Sequence, residues 1–317
     1  GSSNTWIGAG ENYVVTSTST QASSSVSVSY GSGLFSGTEY TDQVTLAPGL
    51  VIPGQSIGVA SNSSGFDKGI DGILGLGPVD LTAGTLSPDS DSLILTVMDN
   101  LVSQGTITNN LFGISFLPAT IEDDTNGSIA FGGIDRTRFT GEIAYTPITS
   151  TSPASRYWGI DHEVTYGTTS ILASTAGIVD TGSTLIHLAT DGTLLSFCCD
   201  QFNKYKSATG GVLDATTGLL TITATQYAAL QNLNFIIGGV TYALTPNGQI
   251  WPRSLNTAIN GTASSIHLVV IDSGSPSGKG LDFVNGYAFL ERFYSVHDMD
   301  NNRMGFATTP FTGLHTN

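Results

Sequence analysis

The sequence predicts an all-β protein of two similar halves. Three observations carry this. Short runs in which apolar and polar residues alternate, separated by clusters of Gly, Asn and Ser, fill most of the 317 positions, and a period of two marks a strand with one buried face. The composition, with 39 Gly and 11 Pro beside abundant Thr, Val, Ile and Tyr, favours short strands and tight turns over helices. The order of signals in the first half also returns in the second. Gly1-Ser2-Ser3-Asn4-Thr5-Trp6 is followed later by Ile73-Leu74-Gly75, and Asp180-Thr181-Gly182-Ser183-Thr184-Leu185 by Phe283-Val284-Asn285-Gly286. Such an echo points to a duplicated lobe, and it demands an Asp-Thr directly ahead of Gly1.

Taken in order, Val26-Ser27-Val28-Ser29-Tyr30 alternates strictly and reads as a half-buried strand. Tyr30-Gly31-Ser32-Gly33 then turns, and residues 38–46 return, which makes a hairpin with a tip of small residues. Helices are few and short. The apolar spacing of residues 93–104, stopped by Gly105, predicts one; residues 201–208, 225–230 and 289–293 predict others. The Ser/Thr-rich stretch 149–155 contains Pro153 and lies near the middle. It is taken as the lobe boundary, dividing the chain into residues 1–150 and 151–317.

Ten basic residues against 25 acidic ones give a net charge of −15. Such a surface repels nucleic acid and anionic membranes, so neither is expected as a partner. Its self-repulsion falls as carboxylates are protonated toward about pH 4. No apolar run is long enough to span a bilayer. The chain opens on Gly without a signal peptide, which reads as a mature form or a fragment. Three acceptor triplets for N-glycans begin at Asn62, Asn126 and Asn260 in polar, turn-like stretches and point to a secreted glycoprotein. Cys198 and Cys199 are neighbours, a geometry wrong for an unstrained disulfide, and form neither a framework nor a metal site.

The strongest chemical signal is Ile178-Val179-Asp180-Thr181-Gly182-Ser183-Thr184. An apolar strand delivers one carboxylate to a glycine-containing turn flanked by hydroxyls. Apolar walls raise a carboxylate's pKa, while hydroxyl and amide donors steady its charged form. Beside a second carboxylate, such a group can activate water. Asp272-Ser273-Gly274 has the same shape, but it lies in a Gly/Ser/Pro-rich stretch and reads as a surface loop. Asp71 before Gly72 reads as a turn acceptor. The five His show no metal-ligand spacing, and neither a Gly-x-Ser-x-Gly elbow nor a phosphate-binding loop occurs.

Over nearly its whole length the chain resembles the pepsin-like aspartic peptidase family, and within it the fungal members. The motifs are GSSNTW at the start, YGSG at Tyr30, FDKGIDGILGLG, IVDTGST, and FVNGYAFLERFYSVHDMDNNRMGFA near the end. The resemblance implies the bilobal pepsin-like acid protease fold, with two pseudo-symmetric β lobes around a central cleft and few short helices. It implies a monomer that hydrolyses internal bonds of an extended peptide or protein at acid pH, needs no cofactor or metal, and in its complete form binds pepstatin-like inhibitors. In this family, of which pepsin is the standard case, two carboxylates share one proton. Asp180 would be the second-lobe catalytic aspartate. Thr181 would join a hydrogen-bond grip between lobes, Gly182 would permit the tight turn, and Ser183 and Thr184 would lie near the substrate backbone. Gly1 would be the third residue of the first-lobe Asp-Thr-Gly, and Ser2 would hydrogen-bond its aspartate. Tyr30, Gly31, Ser32 and Gly33 would form a flap over the peptide, with Trp6 near the Tyr30 hydroxyl.

Three departures stand out. The first Asp-Thr is absent, so residues 1–317 carry one carboxylate of the pair and are expected to be inactive alone. Asn285 replaces a usually apolar residue, and residues 191–199 look like extra material. The competing reading is a pepsin-fold protein that binds other proteins without cleaving them.

Overall fold

The computed structural model describes residues 2–3 (backbone), 13–66, 71–121, 126–190 and 200–317. Gly1, Trp6, the stretch 191–199 and residues 67–70 of the FDKGIDGILGLG motif lie outside the described residues. The chain divides into two compact units, Gly1–Asn110 and Leu111–Asn317.

The first unit is a six-stranded sheet with one α-helix and one short 3-10 helix among its described residues. Its strands are β1 (Ser2–Ser3), β2 (Thr20–Ser29), β3 (Leu34–Ala47), β4 (Leu50–Ser64), β5 (Gly72–Ile73) and β6 (Leu86–Ser87), in the order β5-β1-β4-β3-β2-β6. The hairpin read from residues 26–30 is present: Ser29 pairs with Leu34, and the Tyr30 N–H donates to the Gly33 carbonyl at 2.7 Å. Val26 and Phe35 from its two strands bury against Ala60. Helix α1 (Val97–Ser103) starts later than the apolar spacing of residues 93–104 predicts. Thr96 and Asp99 close a reciprocal capping box (3.2 and 3.0 Å) that fixes the first turn there, and Leu93 and Leu95 stay exposed ahead of it. Gly105, at φ +73°, ends it as expected.

In the second unit the strands are β7 (Leu111–Ser115), β8 (Ser128–Phe131), β9 (Thr140–Pro147), β10 (Gly159–Tyr166), β11 (Thr169–Val179), β12 (Ile186–Leu188), β13 (Val212–Leu213), β14 (Leu220–Ile222), β15 (Leu233–Ile237), β16 (Val240–Leu244), β17 (Ile266–His267), β18 (Val270–Asp272), β19 (Phe283–Asn285), β20 (Phe293–Asp298) and β21 (Arg303–Thr308). A seven-stranded sheet runs β16-β15-β10-β11-β19-β12-β18, and a five-stranded sheet runs β8-β7-β20-β21-β9. The two compact units meet at residue 110. The reason is β pairing: β20 is buried along its length between β7 and β21, and β21 pairs with β9, so residues 111–147 belong with the end of the chain. Phe289 gathers Phe235, Phe293 and Phe306 around it in the core of this unit, the first two rings tilted and the last edge-on.

Helices α2 (Gln201–Thr209) and α3 (Ala224–Ala228) lie where the spacing places them. Helix α4 (Tyr287–Leu290) lies earlier than the predicted 289–293. Its first amides are anchored to the Asp180 turn, and Phe293 already opens β20. The echo between halves has a counterpart in topology. β1 lies between parallel β4 and antiparallel β5, and β12 lies between parallel β18 and antiparallel β19. The two antiparallel neighbours are the segments read as matching, Ile73 and Phe283-Val284-Asn285.

Two carboxylates of the first unit respond oppositely to pH. Asp42 accepts hydrogen bonds from the hydroxyls of Thr18 (2.6 Å), Ser19 (2.7 Å) and Tyr13 (2.7 Å) and from its neighbour's amide (2.7 Å). These donors, the Thr18 hydroxyl first, lower its pKa from 3.8 to about 2. Glu39 is buried with the Ser56 hydroxyl as its donor, and burial pushes it up from 4.5 to about 7. The Asp42 contribution to stability is thus complete above 3.8 and lost as pH falls through about 2. The Glu39 contribution is complete below 4.5 and lost as pH rises through about 7. Glu39→Gln is expected to flatten the decline in melting temperature between pH 4.5 and 7. Asp42→Asn is expected to destabilise by about 1–3 kcal/mol near pH 5 through its lost charged hydrogen bonds. Thermal melts across pH would show both, and a Glu39→Gln curve parallel to the parent's would refute the first.

Candidate active site

Asp180 stands at the end of β11, where the sheet runs out and the chain turns. Its strand is locked below the turn. Ile178 and Val179 pair in parallel with Val284 and Asn285, and the Asp180 N–H donates to the Asn285 carbonyl at 3.1 Å. The same Asn285 pairs on its other side with Ile186, so β19 bridges the two strands that enter and leave the turn. Val179, Ile186 and Leu188 are buried around it.

Within the turn, both carboxylate oxygens have donors. The Gly182 amide reaches Oδ1 at 2.9 Å and the Ser183 hydroxyl reaches Oδ2 at 2.7 Å. These bonds fix the orientation of a half-exposed carboxylate while leaving it accessible. Thr181 is half-buried; Gly182 and Thr184 are exposed. From the opposite side, the Tyr287 and Ala288 amides donate to the carbonyls of Ser183 (2.7 Å) and Thr184 (3.0 Å). Gly286 makes this approach possible: a Cβ there would lie 2.3 Å from the Leu185 carbonyl oxygen and 2.4 Å from that of Ser183.

The remaining candidates are distributed as follows. Tyr30, Gly31, Ser32 and Gly33 form the tip of the β2–β3 hairpin in the first unit; Tyr30 is exposed, its ring edge-on to Phe66 at 5.7 Å. Ser2 lies in β1. Gly1 and Trp6, with the contact expected between Trp6 and Tyr30, lie outside the described residues. Asp272 is exposed and accepts the Gly274 amide at 2.8 Å in a local turn.

Two histidines near the turn carry no motif and escape sequence reasoning. His187, in the middle of β12, is half-buried; burial pushes its pKa down while the Asp180 carboxylate pulls it up. Strand alternation is the one signal that could have placed it, since buried Ile186 and Leu188 flank it. His162, on β10, is wholly buried with its Nε2 3.5 Å from the Asn285 amide nitrogen. Burial lowers its pKa from 6.5 to about 4. The partner that the Asn285 side chain requires is therefore a histidine.

An apolar strand ending in one carboxylate, held at both oxygens in a glycine-bearing turn, is the arrangement of an aspartic peptidase half-site. The model of the eukaryotic aspartyl protease family matches residues 1–309, and the chain belongs to that family. It is 62% identical to polyporopepsin of Irpex lacteus, over 100% of this chain and 90% of that protein. It is 30% identical to gastricsin of Cavia porcellus, over 90% of this chain and 66% of that protein. The crystal structure of the aspartic proteinase from Irpex lacteus superposes with a TM-score of 0.93 at 62% identity, covering 100% of this chain and 90% of that one. The all-β, bilobal pepsin-like fold expected from the sequence is thus the fold found.

Gly286→Ala is expected to lower the unfolding free energy by about 1–3 kcal/mol or more, because two carbonyls must move to admit the methyl group. Gly182→Ala, whose Cβ would meet Asp180 Oδ1 at 3.3 Å, is expected to do less. Urea titration of both variants checks the order.

Proposed function

We propose that this protein is an aspartic endopeptidase that hydrolyses internal peptide bonds at acid pH, with Asp180 as one of two carboxylates acting on a shared water. The observation that carries the reading is the paired grip on Asp180 by the Gly182 amide and the Ser183 hydroxyl. It aims a carboxylate without neutralising it. With a second aspartate opposite, like-charge repulsion keeps one proton between the two. The ionised partner takes a proton from water, and the protonated partner gives its proton to the substrate carbonyl oxygen as the water oxygen bonds to the carbon. The resulting tetrahedral diol collapses, the amine leaves with a proton, and no covalent enzyme intermediate forms.

In this reading the substrate is an extended peptide bound by strand-like backbone hydrogen bonds. The Tyr30–Gly33 tip serves as its flap, Ser183 and Thr184 serve its backbone, Thr181 joins a hydrogen-bond grip between lobes, and the enzyme acts as a secreted monomer open to pepstatin-like inhibitors. Residues 1–317 supply Asp180 alone of the pair. A polypeptide of these residues is expected to cleave no denatured substrate at about pH 3–5, and one that also carries an Asp-Thr ahead of Gly1 is expected to show pepstatin-sensitive cleavage. In that longer polypeptide Asp180→Asn is expected to reduce kcat by about 10²–10⁴-fold or more. Pepstatin-sensitive cleavage by residues 1–317 alone would overturn the one-carboxylate assignment. A longer polypeptide that binds peptide without cleaving it would favour the binding-protein reading.

Secretion through a glycosylating pathway gives a second check. Asn62 is exposed on β4 and Asn260 is exposed at φ +59° beyond a 3-10 turn, whereas the Asn126 amide donates to the Leu117 carbonyl at 2.9 Å and meets the Tyr287 hydroxyl. Mass spectrometry of glycopeptides from a secreting eukaryotic host is expected to find glycans at Asn62 and Asn260 and a bare Asn126.

A further inference from the structure

We propose that His162 and Asn285 form a proton-responsive brace beneath the Asp180 turn, two positioning residues whose contact changes when the imidazole takes up a proton. The importance of the brace for catalysis rests on the role proposed for Asp180; its existence does not.

The two side chains are 1% and 0% exposed, and their contact is defined by elimination. His162 Nδ1 lies 3.2 Å from the Glu163 carbonyl oxygen, which can only accept, so Nδ1 carries the hydrogen. In the neutral ring Nε2 is then the acceptor, and it faces the Asn285 Nδ2 donor at 3.5 Å. Asn285 Oδ1 is buried without a hydrogen-bond partner among the described residues. Protonation of Nε2 would set N–H against N–H. A half-turn of the amide about its last side-chain bond would instead bring the idle oxygen round to accept from the ring. Each protonation state has a bonded arrangement, and the two arrangements differ.

This change would occur one side chain away from the bond that holds the catalytic turn. Asn285 accepts the Asp180 N–H through its own carbonyl and pairs with both Val179 and Ile186. The ring is walled by Phe283, at 3.6 Å between centroids, and Phe235, at 5.6 Å. Its cross-strand partners are Thr175 on β11 and Ile237 on β15. The charged groups nearby are engaged or turned away. Asp161 and Glu163 flank His162 on β10 and, by strand alternation, point to the other face, where both residues are exposed. Asp282, just before β19, is held by the Thr175 hydroxyl (2.8 Å) and the Gly278 amide (2.7 Å). Asp180 and His187 lie along the turn and the strand that leaves it. Burial therefore governs the ring, placing its titration at about 4, within the acid range proposed for the enzyme.

The test is an NMR titration of the ¹⁵N-labelled chain, from about pH 7 to about pH 3, in an Asp180→Asn background so that the aspartate's own titration is silent. The expected result is a neutral His162 in the Nδ1–H form, and a step in the residue-180 amide shift at the midpoint of His162. Asn285→Leu should leave His162 titrating and abolish the step. His162→Gln, which keeps an acceptor for the amide but cannot titrate, should also abolish it, and serves if Asn285→Leu does not fold. An Nε2–H form, no step at the His162 midpoint, or a step of unchanged size in either variant overturns the proposal. None of these readings needs catalysis. An inactive longer polypeptide with an intact step would sink the endopeptidase reading and leave the brace standing; pepstatin-sensitive activity without the step would do the reverse.

Discussion

The short parallel pairing of β11 with β19 is the constraint on which the site depends. Two residue pairs, Ile178 with Val284 and Val179 with Asn285, place the end of one strand against the end of another, and the Asp180 amide continues the ladder by one more bond. A carboxylate aimed at solvent from a flexible loop would sample many directions. Here it leaves a sheet whose edges are closed on both sides, because Asn285 also pairs with Ile186 beyond the turn. The hydroxyl and amide bonds to the carboxylate then need only set its rotation.

The same principle organises the ground beneath the site. α4 begins where it does because its first amides are spoken for by the turn's carbonyls, and Gly286 leaves no methyl group to keep them apart. The polar residues tucked below, His162 and Asn285, are held in a layer of aromatic rings. A polar contact there is specific because both side chains are buried and few alternative partners exist.

Much of this was legible in the residues. The β2–β3 hairpin follows from strict alternation in residues 26–30 and a glycine-rich tip, both local signals. α2 follows from its spacing, with Asp200 as its cap and Gly210 in the left-handed conformation at its end. The Asp180 turn was legible because its chemistry is packed into seven consecutive residues. What was not legible has two sources: a local competitor that overrides a periodic pattern, and contacts between residues remote in sequence. Leu93 and Leu95 have helical spacing, yet the Thr96–Asp99 box outcompetes it and leaves them exposed. The pairing of β7 with β20 and of β9 with β21 was not legible either, because it joins segments about half the chain apart. His162 reads in sequence as one buried position on a strand; nothing local says that an asparagine 123 positions later lies against it.

That the turn is held by backbone groups has a bearing on how this fold changes over generations. The groups that locate Asp180 are carbonyls and amides, which every substitution except proline preserves, while one of the two donors to its carboxylate is the Ser183 hydroxyl, which a single nucleotide change can remove. Selection can therefore alter or extinguish the chemistry at this position without moving the peptide-binding backbone around it. Drift from enzyme to receptor needs few steps on such a scaffold. The reverse is true of Gly286, where the smallest possible addition of carbon disturbs the geometry itself, so the backbone around the turn is most confined at a residue with no side chain at all.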